Sequence, residues 1–179
     1  MTRLPYPDPA TLSAEKRDVL SGSAGRVLNV SRMAMHAPDA LWAAQRKLGR
    51  ATVYEATLDE RLRELLILRV AYLSDSDYEL FHHLRIAENA GVTPEQRDAM
   101  RTGDFSALTD EERALANFVT EIVRDVSPSD ATLQAAREAF GLPLVFEMVI
   151  LIGGYMTTAR VAAVSGVELD EVAVTGWKS

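Results

Sequence analysis

The sequence predicts an all-α fold. Ser/Thr-x-x-Glu/Gln capping boxes recur at Thr57…Glu60, Ser76…Glu79, Thr93…Gln96 and Thr109…Glu112, which requires at least four helices. Two long runs, Leu65 to Leu73 and Leu144 to Ile152, are apolar almost all round, as a helix at the centre of a bundle or at a subunit interface is. No run of alternating apolar residues is bounded by hairpin turn pairs, so no strand is expected.

In chain order, Pro5, Pro7 and Pro9 disfavour helix, and residues 1–10 read as an extended arm on the body or on a neighbouring subunit. Ser13-Ala14-Glu15-Lys16 opens a short helix that ends near Ser21-Gly22-Ser23. Arg26 to Met35 suits a second, and Pro38 starts a third that runs to about Ala51. Gly91 and Gly103 close two of the capped helices, and Gly141 followed by Pro143 separates a helix near 129–140 from one near 143–165. Glu64 to Tyr72 and Glu147 to Tyr155 coincide at Glu, Ile, Leu and Tyr, a pattern that either a duplicated helical hairpin or chance similarity of buried helices produces. Gly153-Gly154 lowers helix propensity in the last helix, which calls for close helix approach or a pocket wall in compensation.

With 179 residues, 47% of them hydrophobic, the chain is long enough for one compact domain with a core and an internal pocket, so residues 11–179 are read as a single domain. The net charge of −7 argues against a phosphate-tracking surface, and nucleic acid is not expected as a partner. The chain contains no stretch of 18 consecutive apolar residues and no apolar signal-peptide core near Met1, so the expectation is a cytoplasmic protein without a membrane partner. It also contains no cysteine, which removes disulfides, thiolate nucleophiles and redox dithiols.

Proton chemistry therefore falls to histidines and carboxylates. Glu79 and His83 stand at i and i+4, so their side chains share a helix face, and a carboxylate there fixes the imidazole tautomer and raises its pKa. If the loop near Ser74–Ser76 turns the chain into an antiparallel hairpin, Glu64 comes level with His83 and a Glu/Glu/His cluster becomes possible. Each member also has a plainer reading: Glu79 as the N3 residue of its capping box, and Glu64 as a solvated carboxylate. His82 and His83 point about 100° apart, so one of them is expected at a shared site and the other at the surface or an interface. His36, alone before Pro38, reads as a loop residue. Glu79-x-x-His82 has the spacing of carboxylate-bridged di-iron sites but occurs once, so no metal is expected. Nothing resembles a nucleophile elbow or a phosphate-binding glycine loop.

Glu64-Leu65-x-Ile67-Leu68-x-Val70-Ala71 followed by Tyr78-Glu79-x3-His83-Leu84-Arg85-x-Ala87-x3-Gly91-Val92-Thr93 resembles the carboxymuconolactone decarboxylase family, also called AhpD-like. Supporting matches are Leu12-Ser13-x-Glu15, Asp59-x-Arg61-Leu62-Arg63-Glu64-Leu65 and Glu147-x3-Leu151-Ile152-Gly153-x-Tyr155-x3-Ala159-Arg160. The resemblance implies a helical bundle around a central antiparallel hairpin. The family's redox branch carries Cys-x-x-Cys where Ser76 and Glu79 stand here, whereas its decarboxylase branch shows Glu-x3-His-Leu-Arg, as this chain does. It therefore implies a cofactor-free lyase that removes CO2 from a small lactone or related carboxylate, without thiol peroxidase activity. His83 would be the acid, held by Glu79, with Glu64 as relay partner. Arg69, Arg85, Arg160 and Tyr78 are the substrate-binding candidates. A homo-oligomer, as dimer, trimer or hexamer, is expected, and the alternative function is a non-catalytic helical oligomer that has lost the redox cysteines. The Pro-rich arm and the roughly 25 residues before the core depart from the compact decarboxylase.

Overall fold

In the computed structural model, which describes residues 2–22 and 27–176, the described residues form eight α-helices and no strand. They are α1 (Ala14–Leu20), α2 (Asn29–Ala34), α3 (Asp39–Tyr54), α4 (Glu60–Leu73), α5 (Asp77–Asn89), α6 (Pro94–Thr102), α7 (Asp110–Asp125) and α8 (Asp130–Ser165). The expected loop residue Ser23 and helix start Arg26 lie outside the described residues; α2 begins at Asn29.

Helix α4 is the axis of the bundle. Its ten residues from Leu62 to Ala71 are all buried, Arg63, Glu64 and Arg69 included, and α5, α6, α7 and α8 pack around it. The main core joins Leu65, Leu66, Ile67 and Leu68 to Met100, Leu115, Phe118, Met148 and Ile152. A smaller cluster of Leu12, Met35 and Trp42 unites α1, α2 and α3. Lys16 is buried in it, donating to the Ala37 carbonyl (2.7 Å) and pairing with Asp39 (2.6 Å).

Two capping boxes form completely, Thr93 with Gln96 and Thr109 with Glu112. The box expected at Thr57…Glu60 does not. Asp59 caps α4 instead, accepting from the backbone N–H groups of Arg61 (3.1 Å) and Leu62 (3.2 Å). Thr57 is taken by a partner distant in sequence: Glu147 accepts from its N–H (2.9 Å) and hydroxyl (2.6 Å) and from the Leu58 N–H (2.8 Å).

Gly141 breaks α8 with φ 72° and ψ 164°, and Pro143 opens its second half. That half matches α4 in apolarity but not in burial, since Leu142, Phe146, Val149, Ile150 and Val164 are exposed. By length and composition α8 could cross a bilayer; here it packs within the bundle, on α4 and α7 above all.

Both chain ends return to the body. The Arg3 and Leu4 N–H groups donate to the Ser165 carbonyl (2.8 and 3.1 Å), past Gly166 at φ 58°, where an added Cβ would stand 2.6 Å from Arg3 Cγ. From there the chain runs back over α5.

Candidate active site

The α4–α5 hairpin builds the centre. Asp75 takes φ 47°, a left-handed conformation that Asp tolerates better than most residues, and the Ser76 N–H reaches back to the Ala71 carbonyl at 3.0 Å. The Ser76 hydroxyl accepts from the Glu79 N–H (3.4 Å), but the Glu79 carboxylate does not complete the box. It turns inward to His83, one helical turn on, where its Oε2 lies 3.5 Å from Nε2. On the other side of the ring, Nδ1 lies 2.8 Å from Oε2 of Glu64 in α4. Glu64, Glu79 and His83 are 0%, 5% and 2% exposed, so the contacts are made out of water.

This geometry decides where protons reside. Both ring nitrogens face carboxylate oxygens, and only the imidazolium donates from both. Burial works against a charged ring, but the charge and hydrogen bond of Glu64 and the charge of Glu79 outweigh it and hold the His83 pKa above its ordinary value. Burial also raises Glu79, reinforced by Glu64 and opposed by His83. Oε1 of Glu64 and Nη2 of the neighbouring buried Arg63 have no hydrogen-bond partner among the described residues. Tyr155, from α8, sets its ring edge-on to His83, with centroids 5.1 Å apart and planes at 88°. Burial and the charges of Glu64 and Glu79 push its phenol above the usual range, which keeps it a neutral O–H donor.

His82 is not a surface residue. It is 3% exposed and directed to the returning C-terminal segment, with Nε2 3.2 Å from Asp170 Oδ2 and Nδ1 accepting from the Val174 N–H at 3.1 Å. The Tyr78 hydroxyl donates to the same Asp170 carboxylate and accepts from the Val30 N–H (3.2 Å). Asp170 thus fastens the C-terminal segment to α5 and, through the Asn29 N–H (3.2 Å), to α2. His36, by contrast, is exposed and meets the Pro5 carbonyl at 2.9 Å.

A cavity of about 670 Å³ lies between α3 on one side and α2, α5 and α8 on the other. Glu79, His83 and Tyr155 line it, together with Gly153 and Gly154, and His82 lines it too, so both adjacent histidines reach one cavity rather than only one of them. No atom of a neighbouring element stands within 4 Å of where a Cβ on either glycine would be, so they form a cavity wall rather than a close helix contact. Among the described residues no group of three His, Asp or Glu side chains is arranged to hold a metal ion.

Residues 38–121, which span the Glu64, Glu79 and His83 constellation, match the profile of the carboxymuconolactone decarboxylase family. Over that region, just under half of the chain, it is similar to the carboxymuconolactone decarboxylase/AhpD-like family. Crystal structures resemble it over most of its length. An uncharacterized peroxidase-related protein from Ralstonia eutropha JMP134, with an alkylhydroperoxidase AhpD core, superposes with a TM-score of 0.75 at 20% identity, covering 95% of this chain and 93% of that one. An uncharacterized peroxidase-related protein from Silicibacter sp. TM1040 gives 0.75 at 18% identity, with 94% and 91% covered. A protein of unknown function from Agrobacterium tumefaciens, named as a candidate AhpD antioxidant defence protein, gives 0.69 at 19% identity, with 76% and 94% covered. At these identities the likeness establishes the shared AhpD-like fold. No curated protein sequence matches the chain.

The three arginines expected at substrate lie away from the cavity. Arg69 is buried between helices, donating to the Met100 carbonyl (2.7 Å) and the Thr120 hydroxyl (2.9 Å) with its guanidinium over Phe105, so it ties α4 to α6 and α7. Arg85 pairs with Glu88 at the surface (2.8 Å), and Arg160 donates to the Met156 carbonyl one turn back (2.9 Å). Tyr78 does line the cavity, though its hydroxyl is engaged by Asp170. The cations that line it are Arg46 and Arg50 of α3. Their signal in the sequence is Trp42-x3-Arg46-x3-Arg50-x3-Tyr54, one face of one helix.

Proposed function

We propose that this protein is a cofactor-free acid/base enzyme, a carboxy-lyase acting on a small lactone or related carboxylate, without thiol peroxidase activity. The observation that supports it is the buried Glu64–His83–Glu79 relay open to a cavity in a chain with no thiol. In the reaction the C–CO2 bond breaks, its electron pair passes into the conjugated lactone carbonyl, and the imidazolium of His83 returns a proton to carbon. Glu64 stabilises the cation before transfer, and Glu79, whose affinity for a proton burial raises, resupplies the proton. Tyr155, which lines the cavity beside His83, would hydrogen-bond the enolate oxygen through its O–H as charge builds on it.

The test is CO2 release from a conjugated lactone acid. His83→Ala should lower kcat by about 10²-fold or more, and Glu79→Gln by about tenfold or more, with folding checked by thermal melting. A His83→Ala protein with full turnover overturns the assignment. The second reading, a non-catalytic helical oligomer, draws on the exposed apolar residues of α8. Absence of turnover together with a stable assembly favours it.

A further inference from the structure

The two walls of the cavity differ in character. The α5 and α8 wall carries Glu79, His83 and Tyr155, whereas the α3 wall carries Trp42, Arg46, Arg50 and Tyr54, which recur at every fourth residue and so form one row along that helix. The Arg46 guanidinium lies 5.9 Å from the Trp42 ring centroid, and that of Arg50 lies 5.2 Å from the Tyr54 ring. Stacking restrains the two side chains but neutralises neither charge. No carboxylate among the described residues pairs with either, whereas Arg85, Arg101 and Arg113 on other helix surfaces each pair with an acid three residues away. Like charges four residues apart on a helix repel, so α3 presents an anion site to the cavity that the protein's own acids leave open.

Val30, Met35, Val53, Ile150 and Val161 add apolar surface to the lining, interspersed with polar groups such as Gln45 and Thr158. At the roughly 30 Å³ that one water molecule claims in the liquid, the cavity has room for about twenty such units, whereas a lactone acid has about a dozen non-hydrogen atoms.

We propose that the cavity takes an amphipathic acid whose apolar body is longer than a single lactone ring. Its terminal carboxylate sits against Arg46 and Arg50, and its reacting carbon lies by His83 and Tyr155. The reacting end rests on the acid/base reading above; the anchored end rests on the α3 row alone. The anchored carboxylate is not the one lost as CO2. Pairing with arginine stabilises a carboxylate more than the neutral CO2 formed from it, which would raise the barrier at that end.

Trp42 lines the cavity and reports binding by its fluorescence, with Trp177→Phe as background so that a single tryptophan is read. The probes are butyrate, decanoate, decanol and decyltrimethylammonium. Decanoate should bind about tenfold or more tightly than each of the others, and the Arg46→Gln/Arg50→Gln double variant should lose about tenfold or more of decanoate affinity while decanol binding stays unchanged. His83→Ala should retain decanoate binding. The proposal is overturned if wild type does not bind decanoate, if butyrate or the cation binds equally well, or if the double variant binds decanoate normally. Decanoate binding without lactone-acid turnover would refute the lyase reading and leave the anion site standing. Turnover with a KM indifferent to the arginines would do the reverse.

Discussion

His83 sits between two carboxylates in a buried site, and the proton equilibria of Glu79 and His83 are consequently coupled. Both Glu79 and His83 are held above their ordinary values near 4.5 and 6.5, so the folded protein binds more protons than the unfolded chain over the pH range above those values. Stability from this cluster must therefore fall as pH rises. For His83 it is fully present below 6.5 and is lost as pH passes its raised value. Urea unfolding of wild type against His83→Gln should show the wild-type advantage shrinking between about pH 6 and pH 9; an advantage that grew over that interval would contradict the assigned direction. The Glu79/His83 pairing was legible because helix periodicity alone puts i and i+4 on one face, and Glu64 because a short loop forces the hairpin. Asp170 was not legible as the partner of His82 and Tyr78. It reaches them from a segment about 90 residues away with no periodicity of its own.

At the scale of the helix, local signals were readable and remote ones were not. Thr93/Gln96 and Thr109/Glu112 cap themselves, and Gly91, Gly103 and Gly141 adopt the positive φ their positions suggested. Thr57 has an equally good local motif, yet its hydrogen bonds go to Glu147, because α8 passes directly over the entry to α4. Burial alone would raise the Glu147 pKa, but the hydrogen bonds from Thr57 and Leu58 outweigh it and hold the carboxyl below its ordinary value. Glu147→Ala should destabilise the protein by about 1–2 kcal/mol, read as a lower melting temperature by several degrees, whereas Glu147→Gln keeps an acceptor and should recover part of that loss. A melting temperature unchanged in Glu147→Ala would mean that the contact contributes no net stability.

Over the whole molecule, α4 and α8 look alike in composition and differ in use. α4 is enclosed, whereas α8 leaves Phe146, Val149 and Ile150 in solvent beside the cavity. An apolar row of this kind suits a self-association face, and we propose that role for it. Sedimentation of wild type should give a species larger than one chain, and Phe146→Glu with Ile150→Glu should shift it toward the monomer; a wild-type monomer would remove this expectation. The all-α architecture was accessible from caps and apolar runs because those are local. Which apolar helix would be enclosed was not, since periodicity is the same in both settings. The C-terminal return that ends in Asp170 adds a further consequence. Glu64, Glu79, His83, Arg46 and Arg50 all fall within residues 38–121, while Tyr155, Val161 and Asp170 lie beyond that region. The charged groups at the cavity and the α8 side chains that line it therefore come from different stretches of the chain. Substitutions at Ile150 or Val161 can reshape the cavity without replacing Glu64, Glu79, His83, Arg46 or Arg50.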